Sequence, residues 1–128
     1  MRLKRILSGS LAAAACATVM VTIVDSAPAS AGTANGCVYP RVCFYLTESN
    51  WTADSPTASY QDITSSYQTL GSSSRGSYAV WNSRNDDGAL LHYTNGTTYC
   101  LPPNRGNGHI RGEIVDKIRI MDSPTCGA

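Results

Sequence analysis

Ile114-Val115-Asp116-Lys117-Ile118-Arg119-Ile120 is the stretch whose reading decides the fold. With side chains alternating across a strand, Ile114, Ile118 and Ile120 fall on one face, and Lys117 and Arg119 on the other. That is the pattern of a half-buried antiparallel strand, one face on a core and one in water. The strand extends over 113–121, and similar β-rich runs occupy 42–46, 77–81, 89–93 and 98–101. Turn signals separate them: Asn85-Asp86-Asp87-Gly88, Asn95-Gly96, Pro102-Pro103-Asn104 and Asn107-Gly108. Asn95-Gly96 between two β-rich runs predicts a hairpin. No stretch sustains a helical period. The sum predicts an all-β fold, a β-sandwich, with 47–70 less regular and 72–76 an exposed loop.

Composition sets the frame around that strand. The chain has 128 residues, 42% hydrophobic and 15% charged. That is enough for one core, too little for two ordinary domains, and too apolar for a disordered polyelectrolyte. Arg2, Lys4 and Arg5 precede a mostly apolar run over 6–24, and Ala29-Ser30-Ala31 matches a small-residue cleavage site. The order describes a secretory signal peptide over 1–31, ahead of a single domain over 32–128 whose core spans about 37–122. A membrane anchor fits less well, because Ser8, Gly9, Ser10 and Thr22 interrupt the run and Asp25 closes it. The expected product is therefore secreted, extracellular, monomeric and free of membrane contact after cleavage.

Cleavage leaves seven basic against eight acidic residues, a balance that offers no attraction to nucleic acid. It also removes Cys16 and leaves Cys37, Cys43, Cys100 and Cys126. An even count in a small exported chain reads as two disulfides. Four cysteines allow three pairings, and the sequence does not choose among them. The expectation carried forward joins Cys37 to Cys43 as a local clip and Cys100 to Cys126 at the C-terminus. No C-x-x-C pair supports a zinc site.

The run Val42-Cys43-Phe44-Tyr45-Leu46-Thr47-Glu48-Ser49-Asn50-Trp51 resembles the opening of a βγ-crystallin-type Greek key. Trp51 stands in the place of the aromatic that packs on the folded hairpin, and Thr52-Ala53 where that pattern has Gly. Leu91-His92-Tyr93-Thr94-Asn95-Gly96 resembles a second, shortened opening. Tyr99-Cys100-Leu101-Pro102-Pro103 and 115–120 resemble the segments that follow it. Together with export and the paired cysteines, these runs resemble the actinobacterial secreted metallopeptidase-inhibitor family, inhibitor family thirty-six. The resemblance covers about 37–121. It implies a βγ-crystallin-like Greek-key sandwich, no enzymatic activity of its own, and an extracellular metallopeptidase as partner.

Three site readings follow. An inhibitor needs a stiff protruding segment, because rigidity lowers the ordering cost of binding. Cys100, Leu101 and Pro102 are the expected contact residues, Leu101 presenting an apolar side chain and Pro102-Pro103 fixing the backbone. The polar loop over 82–88 is a second candidate edge. Calcium, which takes several hard oxygens, could sit weakly on Asp62, Thr64 and Ser66 by likeness to βγ-crystallin sites. No cofactor is otherwise required. The rival class is a small secreted ribonuclease using His109, Arg111 and Glu113 as acid, phosphate clamp and base. A killer-toxin-like or cell-surface-binding protein is the third. His92, between Leu91 and Tyr93, reads as a strand residue facing solvent.

Overall fold

The computed structural model describes residues 33–108 and 113–127; the expected leader over 1–31 lies outside them. Alternation governs 89–93, where Ala89, Leu91 and Tyr93 are buried while Leu90 and His92 are half-buried. Among the described residues, ten strands and one short helix follow along the chain. They are β1 (Thr33–Ala34), β2 (Cys37–Val38), β3 (Val42–Tyr45), α1 (Glu48–Thr52), β4 (Ala58–Tyr60) and β5 (Gln68–Thr69). Then come β6 (Ala79–Asn82), β7 (Ala89–Tyr93), β8 (Thr98–Leu101), β9 (Arg105–Asn107) and β10 (Val115–Ile120).

β1 and β2 form a small hairpin, and the rest make two four-stranded antiparallel sheets. One runs β4-β3-β6-β9 and the other β5-β10-β7-β8. Each half of the chain places three neighbouring strands in one sheet and lends one to the other. β5 borders the sheet of the second half, and β9 borders the sheet of the first. A shared core forms between the sheets. Val42, Phe44 and Val80 meet Leu91, Leu101, Ile118 and Ile120 there, all 3% exposed or less. Each such side chain contributes roughly 1.5–3 kcal/mol by leaving water.

A second, smaller cluster covers the outer face of the first sheet. Cys37, Cys43, Tyr45 and Ala79 are buried there, with Trp51, Tyr78 and Trp81 packed against them. Helix α1 delivers Trp51. Thr47 caps its N-terminus, accepting from the Asn50 amide at 3.1 Å, while Asn50 Oδ1 accepts from the Thr47 amide. The Trp51 ring meets Tyr45 edge-on with centroids 5.0 Å apart, and Trp81 lies 6.5 Å beyond. Trp51 thus packs on the hairpin strand, from a helix. Gly106, opposite Trp81 in the ladder, lies flat beneath it: a Cβ would come within 2.8 Å of the Trp81 ring.

Both disulfides form as expected, Cys37–Cys43 and Cys100–Cys126. The inner face of β10 differs from the alternation read above. Val115, Ile118 and Ile120 are buried, and Ile114 is 43% exposed. Val115 pairs with Tyr93 but Lys117 pairs with His92, so Asp116 is one extra residue, a β-bulge. An inserted residue switches the faces on either side of it, which exchanges Ile114 for Val115 in the core.

Candidate functional site

The loop closed by the Cys37–Cys43 disulfide is held from both sides. On its N-terminal side the β1–β2 turn is Asn35-Gly36, with φ of 54° and 75°. Both angles lie in the left-handed region that such two-residue hairpins require. Gly36 has no alternative, because a Cβ there would collide with the Asp54 carbonyl. The Tyr45 hydroxyl donates to the Asn35 carbonyl at 2.6 Å and pins the turn to the sheet. Burial, and next the negative Asp54, push that hydroxyl up to about 12.

Within the loop, Val38 is 49% and Tyr39 40% exposed. The Arg41 amide donates to the Val38 carbonyl at 3.0 Å, which folds 38–41 into a tight turn. Two of its other carbonyls are gripped from behind. The Ser83 amide donates to the Arg41 carbonyl at 2.9 Å, and Arg84 Nη1 donates to the Pro40 carbonyl at 2.7 Å.

Arg84 is the hub of that grip. It is 8% exposed and faces Asp87, 6% exposed, with Nε and Nη2 at 2.8 and 2.7 Å from Asp87 Oδ2. Nη1 also reaches the Gln61 carbonyl at 3.2 Å. Asn82, fully buried, accepts from the Arg84 amide and donates to the carbonyls of Asp87 and Leu101. Three buried polar side chains therefore knit 40, 61, 87 and 101 together. The 82–88 loop, expected as an exposed edge, is mostly interior; only Asn85 and Asp86 face solvent. Its polarity serves internal pairing, since a buried polar group must find a partner.

The contact residues expected at β8 take other places. Leu101 is fully buried and closes the core, Cys100 is bound to Cys126, and Pro102 is exposed with its carbonyl beside Asn82. An apolar side chain on the inner face of a sheet cannot enter a partner's cleft while the strand stays paired.

Asp62, Thr64 and Ser66, the residues expected to hold calcium, lie along the 62–66 segment, with Thr64 and Ser66 in contact. The Thr64 hydroxyl donates to the Ser66 carbonyl at 2.6 Å, and the Thr64 carbonyl accepts from the Arg119 guanidinium at 3.0 Å. Asp62 stays exposed, its carbonyl taken by Gln68. Among the described residues no group of three or more His, Cys, Asp or Glu gathers around a common point. Of the ribonuclease set, His109 and Arg111 lie outside the described residues, and Glu113 accepts from the Thr97 hydroxyl at 3.4 Å.

The outer face of the second sheet carries a pair the sequence did not announce. His92 Nδ1 lies 2.7 Å from Asp116 Oδ1, and the Tyr67 ring stands against the imidazole at 5.3 Å. The bulge creates the pair, because it turns the extra residue of β10 toward its neighbour on β7. At the end of the sandwich, burial raises the Tyr93 hydroxyl above its ordinary value, while a hydrogen bond from Asn107 at 3.0 Å lowers it in part.

No family model, curated protein or solved structure matches the chain.

Proposed function

We propose that the protein is an exported βγ-crystallin-like Greek-key domain that acts by binding, with an extracellular metallopeptidase as its target. The exchange of β5 and β9 between the sheets supports the Greek-key reading, since each half then has the same order of strands. The disulfides in so small a domain fit an oxidising compartment.

The observation that carries the binding reading is the loop at Cys37–Cys43. It offers Val38 and Tyr39 to solvent on a backbone already ordered by a disulfide and by Ser83 and Arg84. A segment ordered before contact loses little entropy on docking. Exposed apolar and aromatic side chains at the centre of such a segment are the residues that dominate interface energies. The contact thus falls at the opposite end of the chain from Leu101.

Inhibition of a thermolysin-type peptidase by the purified mature protein is the test. Truncating a central anchor costs about 2 kcal/mol, roughly thirtyfold in affinity. Tyr39→Ser and Val38→Ser should each weaken inhibition by about that factor while leaving the melting temperature within a degree or two. No inhibition at micromolar protein rejects the peptidase as target.

A further inference from the structure

Past β10 the chain crosses the 82–88 loop as a strap. Of its residues, Asp122, Pro124, Thr125 and Gly127 are exposed, so burial does little to hold it. Named bonds hold it instead. The Met121 amide donates to the Gly88 carbonyl at 2.9 Å, and the Gly88 amide donates to the Ser123 carbonyl at 2.7 Å. The Cys100–Cys126 bridge then ties the far end of the strap to β8. Gly88 is buried directly beneath it. A Cβ there would lie 3.0 Å from Cys126 Sγ and from the Pro124 carbonyl oxygen, and 3.2 Å from Cys100 Sγ.

From Gly88 a continuous run of contacts leads to the 38–41 loop. Asp87, the preceding residue, gives its carbonyl to Asn82 and its carboxylate to Arg84. Arg84 holds the Pro40 carbonyl, and the Ser83 amide holds that of Arg41. The Arg84–Asp87 attraction depends on water staying out, because it weakens as the local dielectric rises. The strap covers the residue next to that pair.

The two bridges differ in access. Cys37 is 0% and Cys43 2% exposed, whereas Cys100 and Cys126 are half-buried. Thiol exchange starts with a thiolate reaching a bridge sulfur, so it favours the more open bridge.

We propose that Cys100–Cys126 is a redox latch. A dithiol opens it while Cys37–Cys43 stays closed, the strap lifts from Gly88, and the 38–41 loop loses its order. One thiolate of the dithiol attacks a bridge sulfur and forms a mixed disulfide, releasing the other cysteine as a thiolate. The second thiol of the reagent then displaces the remaining cysteine, and the reagent leaves as a cyclic disulfide. Two electrons and two protons pass to Cys100 and Cys126. The inference rests on that loop being the contact end of the molecule, and it adds a means of regulating it.

The test treats the full mature protein, isotopically labelled, with dithiothreitol at neutral pH. Quenching with iodoacetamide and peptide mapping should show Cys100 and Cys126 alkylated at least about tenfold faster than Cys37 and Cys43. In the singly reduced protein, amide shifts should change at Gly88 and 121–127 and also at Arg41, Ser83 and Arg84. Order parameters of Tyr39 and Arg41 should drop from about 0.85 toward about 0.6. A bridge that merely restricts the unfolded chain would leave these native-state signals unmoved. Cys100→Ser with Cys126→Ser opens the latch without reagent and should reproduce them. Cleavage of both bridges at one rate, changes that stop at Gly88, changes spread evenly over both sheets, or undiminished order at Tyr39 and Arg41 overturns the proposal. No peptidase enters the experiment. Coupled changes in a protein that inhibits no peptidase would reject only the peptidase target, and inhibition without the coupled changes would reject only the latch.

Discussion

Replacing Asp87 by Ala strands the Arg84 guanidinium. At 8% exposure the cation cannot reach bulk water without tearing the 82–88 loop from the sheet. Removing one partner of a buried pair costs about 3–5 kcal/mol, because the charge left behind has already lost its hydration. A domain of this size holds about 5–15 kcal/mol in all, so the variant should surrender about a fifth or more of its stability. The two carbonyls on Nη1 and the backbone bond to Asn82 stay in place and set the lower end of that range. At about 4–8 °C per kcal/mol for a chain near 100 residues, the midpoint should drop by at least about 12 °C. Urea unfolding followed by tryptophan emission reads the loss directly, since Trp51 and Trp81 pack against the buried cluster on the first sheet. The double variant Arg84→Met with Asp87→Leu removes both charges and should recover part of the deficit, because neither charge then needs solvation. A loss under about 1 kcal/mol for Asp87→Ala would refute the reasoning. So would a double variant as damaged as the single one, for then the guanidinium is free to find water.

Two further outcomes follow from the same contacts. The Tyr45 hydroxyl keeps its proton to about 12 when folded, against about 10 in the unfolded chain, so its contribution is complete below pH 10 and lost as pH rises toward 12. The unfolding free energy should fall over that window by up to about 1.4 kcal/mol per pH unit, and Tyr45→Phe should flatten the fall; an equal slope in that variant would clear Tyr45 of the effect. For the disulfides, Cys100–Cys126 spans 26 residues and Cys37–Cys43 spans 6. Chain entropy assigns them about 3–4 and about 2 kcal/mol, so the paired serine variant of the former should unfold at lower urea, and equal midpoints would contradict that account.

The sheets were largely legible in the chain. 89–93 and 98–101 emerge as strands β7 and β8 with the bounds expected of them, joined through Asn95-Gly96 with Gly96 at φ 90°. Those runs combine alternation with a turn signal at each end, and both clues are local. β9 was hidden because Arg105-Gly106-Asn107 has no apolar alternation; its glycine is there for the Trp81 ring, a partner far off in sequence. The bulge at Asp116 was hidden for a related reason. Ile114 and Val115 are equally suited to a core, so only the pairing with Tyr93 decides which one enters it. The 82–88 loop misled by its polarity. Asn82, Arg84 and Asp87 satisfy one another, and nothing in the composition distinguishes polar groups that face water from polar groups that face each other. Leu101 misled in the opposite direction. Next to a half-cystine and two prolines it suggested a stiff exposed turn, yet register with Ala89 fixes it on the inner face.

The two outer faces of the sandwich divide the work. The second sheet turns His92, Asp116 and Arg119 outward, half-buried on a strand surface. The first sheet instead buries a second cluster under α1 and the β1–β2 hairpin. A domain this small gains much from that extra burial, because one core between two short sheets leaves a large share of its surface wet. The hairpin that closes the cluster also carries the start of the 38–41 loop. Cys37 and Cys43 are members of the cluster, Tyr45 is both its largest buried side chain and the donor to the turn at Asn35, and Arg84 grips the loop from the other side. Stability and presentation of the loop are therefore one structure. Substitutions at Arg84, Tyr45 or Gly36 should weaken the proposed binding in proportion to the stability they remove, whereas those at Val38, Tyr39 and Arg41, which face solvent, should change it alone. That contrast separates the residues that hold the loop from those that would meet its partner.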